Sequence, residues 1–449
     1  MQAISRKFNP YHIGILAAIL AELFFFLLLI KQDTLAVTYL IIICGMILLF
    51  FFPEFSISVA FTGNVLFHIL YDYIGISISY FALIMGFVLQ IVGALIYIER
   101  RCYKKEVYFG ALFKLSSAIA VVLIIGVLYS SDKYYGMTKT ILFLLMNMPL
   151  LVIVSLYRND MRAIQRIFFF NVIIGLILAI LSFEAARNAL LFGNFRFRLS
   201  DNIGPLGVAR PLCIAIVSAW FFVVGKRNVF VKLLFICALP FLVQPVIWSG
   251  SRGPLLAIFS GIMAIVLLQP RVKSWQKLIL TLVVVGAGLY YFVHSSSQVS
   301  QRLATPLAEE ASAAYRVIAY IQALGNFANH PLTGIGTGSF YLATNWVPLV
   351  YPHNLLLEVA AENGIVGLAL VIAFLIVTAK YGLAAIKRFN EQKDFETMQL
   401  TIALCAAMTS SLVNAMVSGN IASNFYVWAS AGLVWAVYIS DRSNSEPLD

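Results

Sequence analysis

Long runs of hydrophobic residues, separated by short polar or basic segments, dominate the sequence. A helix needs roughly 20 mainly apolar residues to cross the hydrocarbon core of a bilayer. On that rule the sequence predicts an all-α, polytopic membrane protein with twelve to fourteen spans, some of them short or closely joined. The candidate spans lie near residues 12–30, 35–52, 55–71, 74–98, 109–129, 138–156, 164–182, 206–224, 230–248, 254–269, 278–293, 364–381, 397–417 and 421–440. The first is interpreted as an uncleaved helix and not as a signal peptide, because more spans follow.

Composition excludes an ordinary soluble domain. Hydrophobic residues make up 61% of the 449 residues, charged residues 11%, and the mean hydropathy is +0.91, whereas soluble domains carry roughly 25% charged residues. The net charge of +11 is attributed to membrane topology and not to nucleic acid binding. The five scattered cysteines form no CxxC pair, so we expect neither a zinc site nor a disulfide framework.

The distribution of basic residues predicts the orientation. With the N-terminus in the cytoplasm, 20 of the 31 basic residues lie at cytoplasmic ends and ten lie outside, as the positive-inside rule requires. Both termini are then cytoplasmic, and the two long segments 183–205 and 294–353 are extracytoplasmic. The second is polar and helix-capable with a Gly-rich end, and long outer loops usually carry function. A passive connector is the alternative.

Arginine is unusually common among the outward basic residues. Seven of the ten are arginines, and guanidinium groups bind phosphate with two parallel hydrogen bonds. The seven are Arg187, Arg196, Arg198, Arg210, Arg252, Arg302 and Arg316. An anionic ligand such as a phosphate-bearing lipid is predicted, although contact with lipid headgroups accounts equally well for Arg196 and Arg198 in the run FRFR.

Arg252 lies in the segment SGSRGPLLA between two apolar spans. Gly250 and Gly253 allow the backbone to turn, Pro254 suits the first turn of a helix, and a helix N-terminus offers amide donors to an anion. Because an arginine at this depth is costly, a functional role is predicted. A plain interfacial turn is the alternative.

His353 precedes a helical segment that contains Glu358 and Glu362. An imidazole can take up a proton near neutral pH, but a single histidine is weak support for catalysis. The two glutamates are one helical turn apart and can share a face. They are expected to orient His353 or to bind sugar hydroxyls, with a solvated helix face as the alternative.

Three motifs in order resemble the O-antigen ligase and O-antigen polymerase family. The first is SGSRGPLLA, and the second is AAYRVIAYIQAL followed by NHPLTGIGTGSF. The third is His353-Asn354, nine residues, and then Gly364-x-x-Gly367. The resemblance covers roughly residues 200–372.

The resemblance implies a GT-C-like, inverting glycosyltransferase of the bacterial inner membrane, without a metal or other cofactor. It implies an undecaprenyl-diphosphate-linked glycan as donor and a glycan or lipid-linked acceptor such as lipid A-core, with no nucleic acid partner. Catalytic roles fall on Arg252, Arg316 and His353. Substrate-binding roles are expected for Arg210, Asn354, Glu358, Glu362, Gly336 and Gly338.

The same interpretation divides the chain into three sections. Residues 1–205 form the N-terminal membrane helices, 206–381 the ligase/polymerase core with the outer loop 294–353, and 382–449 the C-terminal helices and a cytoplasmic tail.

Two other functions stay open. A repeat-unit polymerase of the same family would use nearly the same chemistry. A transporter or lipid-glycan flippase favours repeats, broken helices and ionisable groups near the midplane. Glu22 and Lys114 are interpreted as nearly the only charges inside spans, which argues against transport.

Overall fold

The computed structural model describes most of the chain from residue 44 to residue 440. The described ranges are 44–63 without position 46, 81–101, 110–191, 203–276 without position 226, 311–344 and 348–440, with positions 65, 197–199, 279 and 286. The predicted spans near 12–30 and 278–293 lie mainly outside these residues. So do Arg196, Arg302 and the first part of the long outer loop.

Helices account for the regular structure of the described residues, apart from one isolated antiparallel bridge between Leu342 and Leu349. A π-helical segment, Phe143–Asn147, joins the helix Lys133–Leu142 to the helix Met148–Ser155 just before Pro149, whose missing N–H disturbs the regular hydrogen-bond ladder. The helices are α1 Phe55–Ser58, α2 Phe81–Arg101, α3 Ala111–Leu128, α4 Lys133–Leu142, α5 Met148–Ser155, α6 Met161–Leu191, α7 Pro205–Val224, α8 Val229–Trp248, α9 Arg252–Leu268, α10 Ala311–Asn329, α11 Leu355–Glu391, α12 Phe395–Ala415 and α13 Phe425–Ile439.

The expected all-α, polytopic architecture is confirmed. Within the described ranges, seven helices are long and apolar enough to cross a membrane, and three more are apolar but shorter. The seven are Ala111–Leu128, Lys133–Ser155, Met161–Asn188, Pro205–Val224, Val229–Trp248, Leu355–Glu391 and Phe395–Ala415; the shorter ones are Gly86–Glu99, Arg252–Leu268 and Phe425–Ile439. The total of twelve to fourteen stays a prediction, because several expected spans fall outside the described residues.

Close helix packing in the bundle depends on small residues. A Cβ atom added at Gly175, Gly382 or Gly432 would lie 2.4–2.5 Å from a side-chain atom of the facing helix. Between helices in lipid, burying apolar surface contributes little, so association depends on such close van der Waals contact. The sequence supplies glycine at positions where two backbones approach each other.

One end of the bundle collects the basic residues that the sequence assigns to the cytoplasm. Arg227 donates to Glu396 over 2.6 Å, and Gln165 bonds both of these side chains over 3.0 Å. Arg388 donates to three main-chain carbonyls at the end of α13, where the helix leaves carbonyls without partners. These contacts join α6, α11, α12 and α13 at a single end.

The opposite end is built from α10, a glycine turn (residues 334–338), the start of α11 and the α12–α13 connector (residues 416–424). Within the turn, Gly334, Gly336 and Gly338 all have positive φ. Ile335 and Gly336 donate main-chain hydrogen bonds of 2.9 Å to carbonyls of α11, and Thr337 donates through its hydroxyl to the Leu123 carbonyl of α3 over 2.9 Å. The turn therefore fills the space between α3 and α11.

Substitution of Gly336 is expected to destabilise the protein. Its φ of +100° disfavours any L side chain, and a Cβ would lie 2.8 Å from the Ser130 Cα. Gly336→Ala should lower stability by about 1–3 kcal/mol, seen as a lower Tm in detergent. Gly325→Ala is the matched control, because that exposed site in α10 has open space and alanine favours a helix by about 0.5–1 kcal/mol. Equal Tm values for the two variants would contradict the prediction.

Candidate functional site

The backbone conformation of His353 and a ring contact with Tyr351 define its position. It adopts a φ of +58°, unusual for a residue other than glycine, directly before Asn354, which caps α11 by accepting from the Leu357 amide over 3.1 Å. The Tyr351 ring lies edge-on to the imidazole with centroids 4.6 Å apart. Nδ1 is buried and has no hydrogen-bond partner among the described residues, so this nitrogen is not engaged by a neighbouring carboxylate.

The surroundings of His353 are positively charged. Burial, reinforced by the charges of Arg316 and Arg210, lowers the pKa of His353 to about 4. The imidazole is thus neutral near pH 7 and able to accept a proton. Burial also raises the pKa of Tyr351, and Arg210 and Arg316 act on that group as well. The charges of two arginines from different helices therefore influence the pKa of both Tyr351 and His353.

Arg210 lies near the start of α7 and points at the α12–α13 connector. Its guanidinium donates to Asn424 and lies 5.3 Å from the centre of the Tyr426 ring. A Cβ at Gly419 would lie 3.1 Å from its Nη1, so the connector approaches the guanidinium closely. The Nε atom is buried without a hydrogen-bond partner in the described part of the chain, which leaves one donor for a further acceptor.

Arg252 and Arg316 lie on two helices that reach the same connector. The N-terminus of α9 is at Arg252, and the neighbouring Gly253 packs against Val417 of the connector. Arg316 lies on α10 one turn before Tyr320, whose hydroxyl donates to the Met416 carbonyl over 3.4 Å. The connector is thus a common neighbour of the helices that carry the three arginines.

The alternative of a solvated helix face for Glu358 and Glu362 is wrong. Both are 1% exposed, and both bind Lys139, through Oε1 of Glu358 at 2.7 Å and both Oε atoms of Glu362 at 2.8–2.9 Å. Their expected roles in orienting His353 or binding sugar hydroxyls stay predictions. Lys139 also lies inside a span, so charges within spans are not confined to Glu22 and Lys114.

Asn354, Gly336 and Gly338 make structural contacts, and their expected substrate-binding roles stay predictions. Asn354 uses its side chain as the α11 cap. Gly336 and Gly338 are buried against Ser130 and Gly136, and the Gly338 amide donates to Glu362 Oε2 over 2.9 Å. The one signal in the sequence that could have indicated the buried cluster is Lys139 itself, an outward lysine within an apolar run.

Comparison with known proteins identifies the central part of the chain. Residues 237–372 match the family model described as O-antigen ligase. The chain is similar to a protein named O-antigen ligase from Pseudomonas aeruginosa, with 29% identity over 194 residues, which are 43% of this chain and 45% of that protein. It is also similar to a Rickettsia felis protein provisionally described as a polysaccharide ligase, with 25% identity over 293 residues, 60% of this chain and 66% of that protein.

Proposed function

We propose that this protein, whose residues 237–372 match the family model described as O-antigen ligase, is a membrane glycosyltransferase that moves a glycan from undecaprenyl diphosphate to a sugar hydroxyl of an acceptor. The matched segment contains Arg252, Arg316 and His353. The observation that carries the proposal is His353 itself: an imidazole that is neutral near pH 7, near the charges of Arg316 and Arg210, with a buried Nδ1 that has no hydrogen-bond partner in the part of the chain that the structure describes.

The arginines are proposed to hold the diphosphate of the donor. Arg316 and Arg210 both act on His353, and the helix of Arg252 packs on the same connector as Arg210. Guanidinium forks match phosphate oxygens, and positive groups at the leaving oxygen stabilise the charge that develops there. Arg210, with a buried donor still unused, is proposed as a ligand of the diphosphate beside Arg252 and Arg316.

His353 is proposed to act as the general base. A ring nitrogen takes the proton from the acceptor hydroxyl while the hydroxyl oxygen forms a bond to the anomeric carbon. The bond from that carbon to the diphosphate oxygen breaks, and the diphosphate leaves with the electron pair. Direct displacement inverts the anomeric configuration. The proton later leaves His353 to solvent or product, which returns the base to its neutral form.

A divalent metal is not required by this scheme, because the guanidinium groups supply the positive charge. Among the described residues, no group of three or more His, Cys, Asp or Glu side chains is placed to hold a metal ion. The proposal is tested by chelation: EDTA should leave the initial rate of transfer unchanged. A rate that fell with EDTA and returned on addition of Mg²⁺ would contradict metal independence.

The proposed location is the outer face of the bacterial inner membrane, with both termini in the cytoplasm. The Arg227–Glu396 contact and Arg388 lie at one end of the bundle, and His353 lies at the other. Placing the basic end in the cytoplasm satisfies the positive-inside rule. His353 and the arginines then face the periplasm, where a flipped lipid-linked glycan would meet them.

The acceptor distinguishes a ligase from a repeat-unit polymerase. Both would bind the same diphosphate and use the same base, so the residues around His353 fit either activity. The names of the two relatives favour a ligase. A transporter is supported by two features, the charges of Lys139, Glu358 and Glu362 inside spans and the kink of α11 at Gly364, which has a φ of +64°.

The proposal is tested with purified protein in lipid vesicles, undecaprenyl-diphosphate glycan as donor, and lipid A-core as acceptor. Release of undecaprenyl diphosphate together with a glycan-modified acceptor is the expected result. Release with donor alone, and elongation of the donor's own glycan, would identify a polymerase. Movement of intact donor across the bilayer without any diphosphate release would identify a transporter and refute the transferase.

The pKa of His353 should rise when the donor binds. Burial and two arginines hold its pKa at about 4 in the free protein; a bound diphosphate would neutralise the arginines and raise that pKa. The acid limb of kcat/KM, which reports the free protein, should therefore lie near pH 4, and the acid limb of kcat should lie at higher pH. Selective ¹⁵N-histidine NMR would measure the two pKa values directly. Identical values with and without pyrophosphate would contradict the coupling.

A further inference from the structure

A buried ionic cluster lies beside the proposed catalytic site. Lys139 of α4 is bound by Glu358 at 2.7 Å and Glu362 at 2.8 Å, and all three side chains are at most 2% exposed. Two carboxylates thus share one ammonium group with almost no access to water. The proposed reaction uses none of these three groups.

The cluster fastens four separate parts of the chain to one another. The second oxygen of Glu358 accepts from the Ile421 amide of the α12–α13 connector over 3.0 Å. Glu362 accepts from the Gly338 amide of the glycine turn over 2.9 Å. Together with Lys139, these bonds join α4, α11, the glycine turn and the connector around two adjacent turns of α11.

The positions of His353 and Arg210, both proposed to contact substrates, depend on the hydrogen bonds of this cluster. His353 directly precedes the cap of α11, and no described residue makes a hydrogen bond to its Nδ1, so the first turns of α11 contribute to its position. Arg210 donates to Asn424, three residues after Ile421 in the same connector. The cluster therefore fixes the base and one arginine relative to each other through the backbone.

A contribution to the stability of the folded protein does not explain why three charged side chains are buried together. Removing three charges from water costs several kcal/mol per ion, and replacement of a buried ionic triad by apolar side chains is often neutral or stabilising. Ionisable groups inside membrane spans are costly and mark functional sites. A role in placing the neighbouring reactive groups is consistent with both facts.

We propose that Lys139, Glu358 and Glu362 are positioning residues that set His353 at the correct distance from a diphosphate donor held by the arginines. The inference rests on the proposed transferase function. A base displaced by about 1 Å can cost on the order of 100-fold in rate. Arg252 and Arg316 lie on α9 and α10, outside the cluster, and of the three arginines only Arg210 donates to the connector that Glu358 holds. Loss of the cluster should therefore reduce kcat far more than it weakens donor binding.

The test compares Glu358→Ala with Glu358→Gln in the vesicle assay. Alanine removes the contacts with Lys139 and Ile421, so kcat should fall on the order of 10–100-fold while the KM for the donor changes by less than about 3-fold. Glutamine retains an oxygen that can accept from the Ile421 amide. The decrease in log kcat for Glu358→Gln should therefore be at most half of the decrease for Glu358→Ala. A rise in donor KM at unchanged kcat, or equal kcat for alanine and wild type, would overturn the proposal.

Two further variants separate positioning from folding. The triple variant Lys139→Met/Glu358→Leu/Glu362→Leu replaces the charges with apolar groups of similar size, so it should retain its Tm and still show the reduced kcat. The control is Arg227→Met/Glu396→Gln, which removes an ion pair at the opposite end of the bundle and should leave kcat unchanged. A triple variant with wild-type kcat would refute positioning. An inactive wild-type protein would instead refute the transferase function itself.

Discussion

Replacing His353 with asparagine is expected to reduce kcat for glycan transfer by about 10²–10⁴-fold, the range attributed to a general base. Asparagine tolerates positive φ better than most residues, so the backbone at +58° is preserved while the imidazole is lost. Neither Tyr351 nor Glu358 can substitute, because burial raises the pKa of Tyr351 and Glu358 is bound to Lys139. The measurement is the rate of undecaprenyl diphosphate release under saturating donor and acceptor.

His330→Ala is the matched control for that experiment. His330 is exposed at the end of α10, and its main-chain amide donates to the Asn326 carbonyl, a bond that alanine keeps. This variant should turn over at the wild-type rate. If the His353→Asn variant kept more than about a tenth of the wild-type kcat, the imidazole would not be the base, because loss of a general base should reduce kcat by more than that.

Replacing Arg252 or Arg316 with lysine is expected to lower kcat/KM by about 10²–10³-fold, comparable with removal of one preorganised donor from a charge-stabilising site. Lysine keeps the positive charge but loses the planar fork that can bind two phosphate oxygens at once. The loss should appear in both kcat and donor affinity, because the diphosphate is present in the ground state and gains charge as it leaves. Donor binding is measured separately with the inactive His353→Asn protein as background.

Arg187→Lys is the control for the arginine variants. Arg187 lies on the same predicted outer side, but its side chain is exposed on α6, so the substitution should leave turnover unchanged. If Arg252→Lys and Arg316→Lys also retained wild-type kcat/KM, total charge and not bidentate binding would be sufficient, and the proposed diphosphate site would be wrong.

The helix start at Arg252 shows what local sequence can predict. Gly250, Gly253 and Pro254 restrict the backbone through their own geometry, and α9 begins at Arg252 with Gly250 at a φ of +58°. The glycine turn is similar: glycines at 334, 336 and 338 all adopt positive φ. In each case the backbone conformation is favoured by the residues of the segment itself, so it can be predicted without knowing which distant residues the segment contacts.

The role of Glu358 and Glu362 could not be obtained in that way. Two glutamates one helical turn apart fit a solvated face and a buried face equally well, and the difference is decided by Lys139, more than 200 residues earlier in the chain. The lowered pKa of His353 also depends on the tertiary structure, because burial is its largest cause and the charges of Arg316 and Arg210, which reinforce it, come from α10 and α7. The short segment around His353 contains neither arginine.

The sequence by itself determined the membrane-embedded, helical class, and it predicted the orientation and the three arginines that are proposed to bind a donor. It could do so because lipid requires each spanning segment to satisfy its own backbone hydrogen bonds, which makes length and hydropathy sufficient signals. Only the tertiary structure decided which charged groups are paired with one another, as Lys139 is with Glu358 and Glu362. That outcome depends on contacts between helices that are far apart in the chain, and electrostatic energies depend on those distances and on burial.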